Sequence, residues 1–218
     1  KKMFLFGDST FILLIPAFML ALWAQYRVKS TYAKWSKKAA LSGLTGRDVA
    51  EKILSAKGLV KKVAVKEIAG SLSDNYNPLN RTLNHSEAVY ESNSIAALGV
   101  AAHEAGHALQ HNSGYSPLAI RNAVFPIANF GSMLAWPLFI IGILMQYNKF
   151  LMDLGILLFS GFVAFTILTL PVEFNASKRA IAILSSGGYL NQSELSGAKA
   201  VLDAAALTYL AAAAIAIM

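Results

Sequence analysis

The hydrophobic pattern divides the chain into long uncharged runs and mixed segments. Residues 9–26, 123–148 and 154–172 are apolar stretches with no charged side chain. A bilayer core about 30 Å thick takes roughly 20 apolar residues at 1.5 Å each, so each stretch reads as a transmembrane helix. A fourth stretch, residues 204–218, is Ala-rich and reads as a short span or as one that continues past residue 218. The first stretch reads as an uncleaved anchor: Leu22-Trp23-Ala24 lacks the small-residue pattern of a cleavage site, and Arg27 and Lys29 follow at once. Whether Lys1 and Lys2 are native stays open, since Met3 would make a natural start.

Between the spans the periodicity changes. Thr45-Gly-Arg-Asp48 has the form of a capping box with Asp in place of Glu. Val49, Ala50, Ile53 and Leu54 then recur at helical spacing until Gly58. Residues 63–68 and 81–85 favour strands, with Asp74-Asn-Tyr-Asn-Pro78 as turn chemistry between them, which predicts a small hairpin or sheet. From Ser94 an Ala-rich run continues to Gln110 and is closed by Asn112-Ser-Gly114, with Pro117 beyond, as a helix would be.

Composition makes the class explicit. Of 218 residues 56% are hydrophobic and 14% charged, and the mean hydropathy is +0.49, which describes a membrane protein and not a water-soluble globule. The 19 Lys/Arg against 12 Asp/Glu give +7, and their placement explains that excess. Thirteen basic residues fall from Arg27 to Arg121 and three more (Lys178, Arg179, Lys199) after the third span, against Lys1, Lys2 and Lys149 on the other side. By the positive-inside rule, the two long loops, residues 27–122 and 173–203, are cytoplasmic. The charge therefore records topology, and no nucleic-acid recognition fold accompanies it. With no cysteine, disulfides, Fe–S clusters, thiolate zinc sites and thiol nucleophiles are excluded, leaving His and carboxylates as the strong metal ligands.

Three of the four histidines fall within nine residues, in His103-Glu104-Ala-Gly-His107 and His111. Residues four apart on an α-helix lie about 40° apart around the axis, so His103 and His107 project from one face and can share a zinc ion. Glu104 beside them can take a proton from water attacking a carbonyl and pass it to the leaving amine. This is the H-E-x-x-H arrangement of metallopeptidases. A catalytic zinc needs a third protein ligand and one open position. His111 lies eight residues from His103, about 12 Å along a straight helix, too far to share one ion and better suited to an outer role. Glu173, a lone carboxylate at the end of the third span, is the better candidate, because three spans return it to the side of His103 and His107. Its alternative is a membrane-edge acid paired with Lys178 or Arg179. His85 reads as a strand-surface residue.

The runs Asp74-Asn-Tyr-Asn-Pro78, Asn84-His-Ser-Glu-Ala-Val-Tyr90 and Ser94 to His111 resemble the YugP-like family of bacterial membrane zinc metallopeptidases, and the likeness extends over essentially the whole chain. That family in turn is similar to the HtpX and CAAX prenyl-protease type. The resemblance implies a gluzincin-like site: His103 and His107 as ligands, Glu104 as acid/base, Glu173 as third ligand, and one Zn2+ per chain. One position departs from the HtpX-type pattern, which has Asp four residues after the ligand Glu where this chain has Ser177. A carboxylate to orient a ligand imidazole is then missing locally, and Asp203 is a candidate substitute. The resemblance also implies an edge strand that aligns substrate, for which Arg81, Leu83 and His85 are placed. Arg179 and Tyr209 are candidate donors to a developing oxyanion.

These readings together predict a mainly α, multi-pass membrane protein. It is a single metallopeptidase domain over residues 1–218 in the plasma membrane, with about four transmembrane helices, a small cytoplasmic sheet and the site facing the cytoplasm. Its partners would be the bilayer and a peptide or protein substrate, membrane proteins included; no nucleic acid is expected, and the oligomeric state is open. From another class, the same residues would serve a zinc-binding scaffold or chaperone-like module without turnover. A site-2-type protease would need an Asn-Pro and Leu-Asp-Gly context later than the His-Glu motif, which is missing, and the FtsH type an ATPase phosphate loop that is also missing.

Overall fold

The computed structural model describes residues 10–217. Seven helices and three strands follow in the order α1 (Thr10–Trp35), α2 (Gly46–Ala56), β1 (Ala64–Ile68), β2 (Asn75–Asn77), β3 (Thr82–Ser86), α3 (Glu87–Tyr90), α4 (Ile95–Asn112), α5 (Ser116–Leu144), α6 (Lys149–Ser186) and α7 (Gln192–Ile217). They divide into two compact units. Of the described residues, one holds those up to Leu22, Ser116–Pro171 and those from Tyr209; the other holds Trp23–Tyr115 and Val172–Thr208.

In the first unit, α5 and the opening of α6 leave their large apolar side chains uncovered: Ile127 is 75% exposed, Phe130 and Trp136 64%, and Leu157 67%. Among the described residues three helices, α5, α6 and α7, are long and apolar enough to cross a membrane. They carry the second to fourth predicted spans. The first predicted span begins before the described residues, as do Lys1 and Lys2, and its remainder lies in α1. The helix that holds the last predicted span extends upstream of it: α7 starts at Gln192, twelve residues before the predicted boundary, and runs for 26.

The second unit has a core of its own. Val49, Ala50, Ile53 and Leu54 of α2 pack with Leu83 of β3, Leu98, Ala102 and Ala105 of α4, Ala180 and Leu184 of α6, and Leu195 and Ala198 of α7. The expected capping box starts α2: the Thr45 side chain accepts from the Asp48 amide, and the Asp48 carboxylate accepts from the Thr45 amide at 2.9 Å. A second box, not anticipated, starts α7. Asn191 Oδ1 accepts from the Glu194 amide at 3.0 Å, Glu194 accepts from the Asn191 amide at 2.9 Å, and its other oxygen accepts from the Leu41 amide at 2.7 Å. One buried carboxylate thereby satisfies orphan N–H groups on two segments.

Two expectations require correction. Of the predicted alternatives, hairpin or sheet, the chain forms a three-stranded sheet in the order β1-β3-β2, with β3 parallel to β1 and antiparallel to β2. The supposed turn at residues 74–78 contains β2, which the short Asn-Tyr-Asn alternation did not announce; Asn84 Nδ2 donates to Asn75 Oδ1 across the pair at 3.0 Å. Residues 173–203 are not a loop. The third span's helix continues through them to Ser186, and after a short turn α7 begins.

Candidate metal centre

The centre is built on α4, an 18-residue helix capped by the Ser94 side chain, which accepts from the Ala97 amide, and followed by Gly114 at φ +63°. Fourteen of its residues are buried, most of them Ala, Gly or Leu. Small side chains let another backbone approach closely. A Cβ on Gly106 would stand 2.9 Å from the Ala176 carbonyl oxygen, so the α4 turn between the two histidines lies directly against α6. That contact brings Glu173, one turn before Ala176, to the histidine face.

His103 Nε2 lies 3.3 Å from Glu173 Oε2, and His107 Nε2 lies 3.5 Å from the same oxygen. The three candidate ligand atoms all fall within 4.8 Å of one another, with His107 and Glu173 buried and His103 nearly so. Two ligands each held about 2.0–2.1 Å from one zinc at a tetrahedral angle stand roughly 3.3–3.5 Å apart, so the two imidazole–carboxylate spacings suit zinc. The donor chemistry agrees, since two imidazoles with one carboxylate is a zinc set and not a calcium or magnesium one.

The outer nitrogens are also held. His107 Nδ1 is 3.0 Å from Gln110 Oε1. Gln110 is fully buried, and its Nε2 donates to the Val172 carbonyl at 2.9 Å and to Asn175 Oδ1 at 3.0 Å. With both amide hydrogens spent on α6, the Gln110 oxygen has to face the ring, so His107 Nδ1 carries the proton and Nε2 keeps its lone pair. Asn175 Oδ1 also accepts from Arg179 Nε at 2.8 Å, and the Arg179 guanidinium lies 5.8 Å from the Tyr115 ring centre. His103 Nδ1 is 3.1 Å from Ser177 Oγ, so at the position of the expected Asp a hydroxyl meets the imidazole.

Electrostatics favours cations here. Burial pulls the His107 imidazole towards its neutral form, but the Glu173 hydrogen bond and the nearby Glu104 and Glu173 charges outweigh it, and the net shift is upward. Glu104 itself is 8% exposed.

The remaining sequence candidates lie elsewhere. Asp203 pairs with Lys199 at 2.5 Å on the exposed face of α7, both side chains about 60% accessible, so Ser177 and not Asp203 attends the imidazole. His111 Nδ1 lies 2.7 Å from the Tyr76 hydroxyl, away from the ligand cluster. The substrate-strand role for Arg81, Leu83 and His85 fails on topology: β3 is the central strand, its two sides already taken by β1 and β2, and Leu83 is fully buried in the core. His85 is likewise buried, not on a strand surface, with Asp74 Oδ1 3.5 Å from its Nδ1. Tyr209 is on α7, 37% exposed. Sequence reasoning missed Gln110 and Asn175. Their signal was a lone amide in an apolar helix, three residues after one ligand and two after another.

A family model described as "Putative neutral zinc metallopeptidase" matches residues 10–218. A curated relative, "Putative membrane protease YugP" from Bacillus subtilis (strain 168), is 48% identical over 201 residues, covering 92% of this chain and 88% of the relative. No solved structure matches.

Proposed function

The chain belongs to that zinc metallopeptidase family, and on this premise we propose that it is a membrane-embedded endopeptidase. His103, His107 and Glu173 hold one zinc ion, and the catalytic region faces the cytoplasm of a four-span protein in the plasma membrane. The observation that carries the reading is the meeting of an α4 histidine pair with a carboxylate 70 residues away from His103, at the spacing a zinc ion requires. The distribution of Lys and Arg supports the orientation.

When bound there, zinc supplies a Lewis acid that lowers the pKa of water and polarises a carbonyl. The protein does the rest. Gln110 and Ser177 fix both imidazoles with Nε2 turned inward, and Glu173 balances the cation's charge. Glu104 takes a proton from the attacking water as its oxygen adds to the peptide carbonyl carbon. It delivers that proton to the amine nitrogen as the C–N bond breaks. Burial keeps bulk water from competing for the carboxylate. The substrate is a peptide or protein segment, membrane proteins included.

The test pairs metal analysis with cleavage of a denatured protein in detergent. Wild type should bind one zinc per chain and cleave. Glu104→Gln should keep the metal and lose at least about a hundredfold in rate, and Glu173→Ala should lose tight zinc binding. Cleavage undiminished in Glu104→Gln overturns the mechanism, and zinc retained without cleavage in wild type would favour a scaffold.

A further inference from the structure

One turn beyond His107 on α4, about 6 Å along the axis, His111 lies on a cavity of about 180 Å³ that the metal centre does not use. Its polar lining is Lys62, Tyr76, Arg81, His111 and Asn112, over Leu59 and Val63, and no carboxylate lines it. Neither Lys62 nor Arg81 has a carboxylate partner among the described residues, whereas Arg47 and Lys199 are each paired four residues along their helices. Two cations left unpaired around one concavity form a field that attracts an anion.

The groups are also held in place. Tyr76 Oη and His111 Nδ1 are 2.7 Å apart, which fixes the ring and leaves His111 Nε2 for another partner. Arg81 adopts φ +54°, a left-handed conformation that Gly or Asn takes far more readily. Its carbonyl is pinned by the Ala64 amide at 3.1 Å. A bulky residue kept in that conformation next to a cavity is the form in which backbone strain accompanies function. The Arg81 charge reaches the Tyr76 hydroxyl, where it offsets part of the upward push that burial exerts.

We infer that this cavity is an oxyanion site whose ligand is a carboxylate of the polypeptide substrate, either an acidic side chain or a chain terminus. The second half of this inference rests on the peptidase reading. Arg81 offers a planar fork of donors, Lys62 a point charge, and Asn112 with the Tyr76–His111 pair neutral hydrogen bonds. His111 lies about 6 Å from His107 and about 12 Å from His103 along α4, and an extended peptide advances about 3.3 Å per residue. The anchored carboxylate therefore falls two to four residues from the bond that is cut.

The first experiment does not depend on catalysis. Inorganic phosphate is titrated into metal-free full-length protein in neutral detergent, with heat and the His111 ring resonances as readouts. Saturable binding that weakens at least tenfold in Arg81→Asn, a substitution that suits the left-handed backbone, supports the site; no saturation, or equal affinity in the variant, overturns it. The second experiment compares cleavage of peptides carrying Glu or Gln two to four residues from the cut. The Glu peptide should have the higher kcat/KM, and Arg81→Asn should abolish the preference. If instead phosphatidylglycerol nanodiscs shift the His111 resonances relative to phosphatidylcholine ones and no peptide preference exists, the anion is a lipid headgroup and the substrate assignment is overturned. Phosphate binding by a chain that cleaves nothing would sink the peptidase reading and leave the oxyanion site standing.

Discussion

Two helices rich in apolar residues, α4 and α5, meet different surroundings. In α4, 14 of 18 residues are buried, and apart from a few Leu, Ile and polar positions these are Ala and Gly. In α5 the buried residues are five of 29, four of them Ala or Gly, while Phe, Ile, Met and Trp side chains stand exposed. Hydropathy separates the two, since α5 and not α4 is apolar enough to cross a membrane, and side-chain size separates them further. A helix of small residues buries itself by letting other backbones close in, and it can then hold polar groups because its neighbours supply their partners. A helix that turns large apolar groups outward presents a surface that suits lipid, where burial among protein is not needed.

The sharpest way to break this comparison is at glycine. Gly106→Ala places a methyl 2.9 Å from the Ala176 carbonyl oxygen, a backbone atom that cannot swing aside. It should cost about 1–3 kcal/mol and push α6 off the histidine face, with zinc affinity falling at least tenfold. Gly161→Ala in α6, where nothing lies within 4 Å of the added methyl, should leave stability within about 1 kcal/mol of wild type or raise it. Denaturation in detergent with zinc titration decides: equal effects at the two positions would mean that the close approach is not what builds the site.

Next in size are the groups that hold the imidazoles. Gln110→Leu removes the acceptor for His107 Nδ1 and the donor that the Val172 carbonyl and Asn175 Oδ1 share, leaving Asn175 Oδ1 with Arg179 Nε. Zinc affinity should drop about 10- to 100-fold. Gln110→Glu keeps an acceptor for the ring and should recover part of that loss. In metal-free protein, nitrogen NMR of His107 should report the Nδ1–H tautomer in wild type and a mixture in Gln110→Leu. A tautomer unchanged by Gln110→Leu would overturn the positioning role. Ser177→Ala should do less, since the His103 side chain is 12% accessible and water can replace the hydroxyl.

How far the chain could be read before the fold was known follows the same division. The H-E-x-x-H ligands, the capping box at Thr45 and the limits of α4 are local, governed by spacings of three and four residues, and each is visible in sequence. Glu173 could be reached only by counting spans, a coarse long-range argument. The strand order was out of reach, because β1 and β3 are parallel neighbours with β2 lying between them in sequence, and no local pattern encodes which strand becomes central. Gln110 and Asn175 were overlooked because a lone amide acquires meaning only when its acceptor arrives from another helix. Residues 173–186 were read as loop because their charges mark the end of a span, although a helix need not stop where its apolar run does.

The smallest effect lies outside the ligand set, in the α2 cap. Asp48 accepts from the Thr45 amide and hydroxyl, and these hydrogen bonds, the backbone one first, hold its carboxyl below the ordinary carboxylate range. A group whose pKa is lower folded than unfolded stabilises the fold above its unfolded value, near 3.9, and loses that contribution as pH falls through the folded value. Asp48→Ala should therefore cost about 1 kcal/mol at pH 7. The gap between variant and wild type should be constant down to about pH 4 and close progressively in more acid solution. Zinc affinity at neutral pH should be unchanged, because α2 contributes to the unit's core and not to the ligand set. A gap that persists undiminished to the lowest pH at which the protein stays folded would show that packing beneath the cap, and not the charged box, fixes the start of α2.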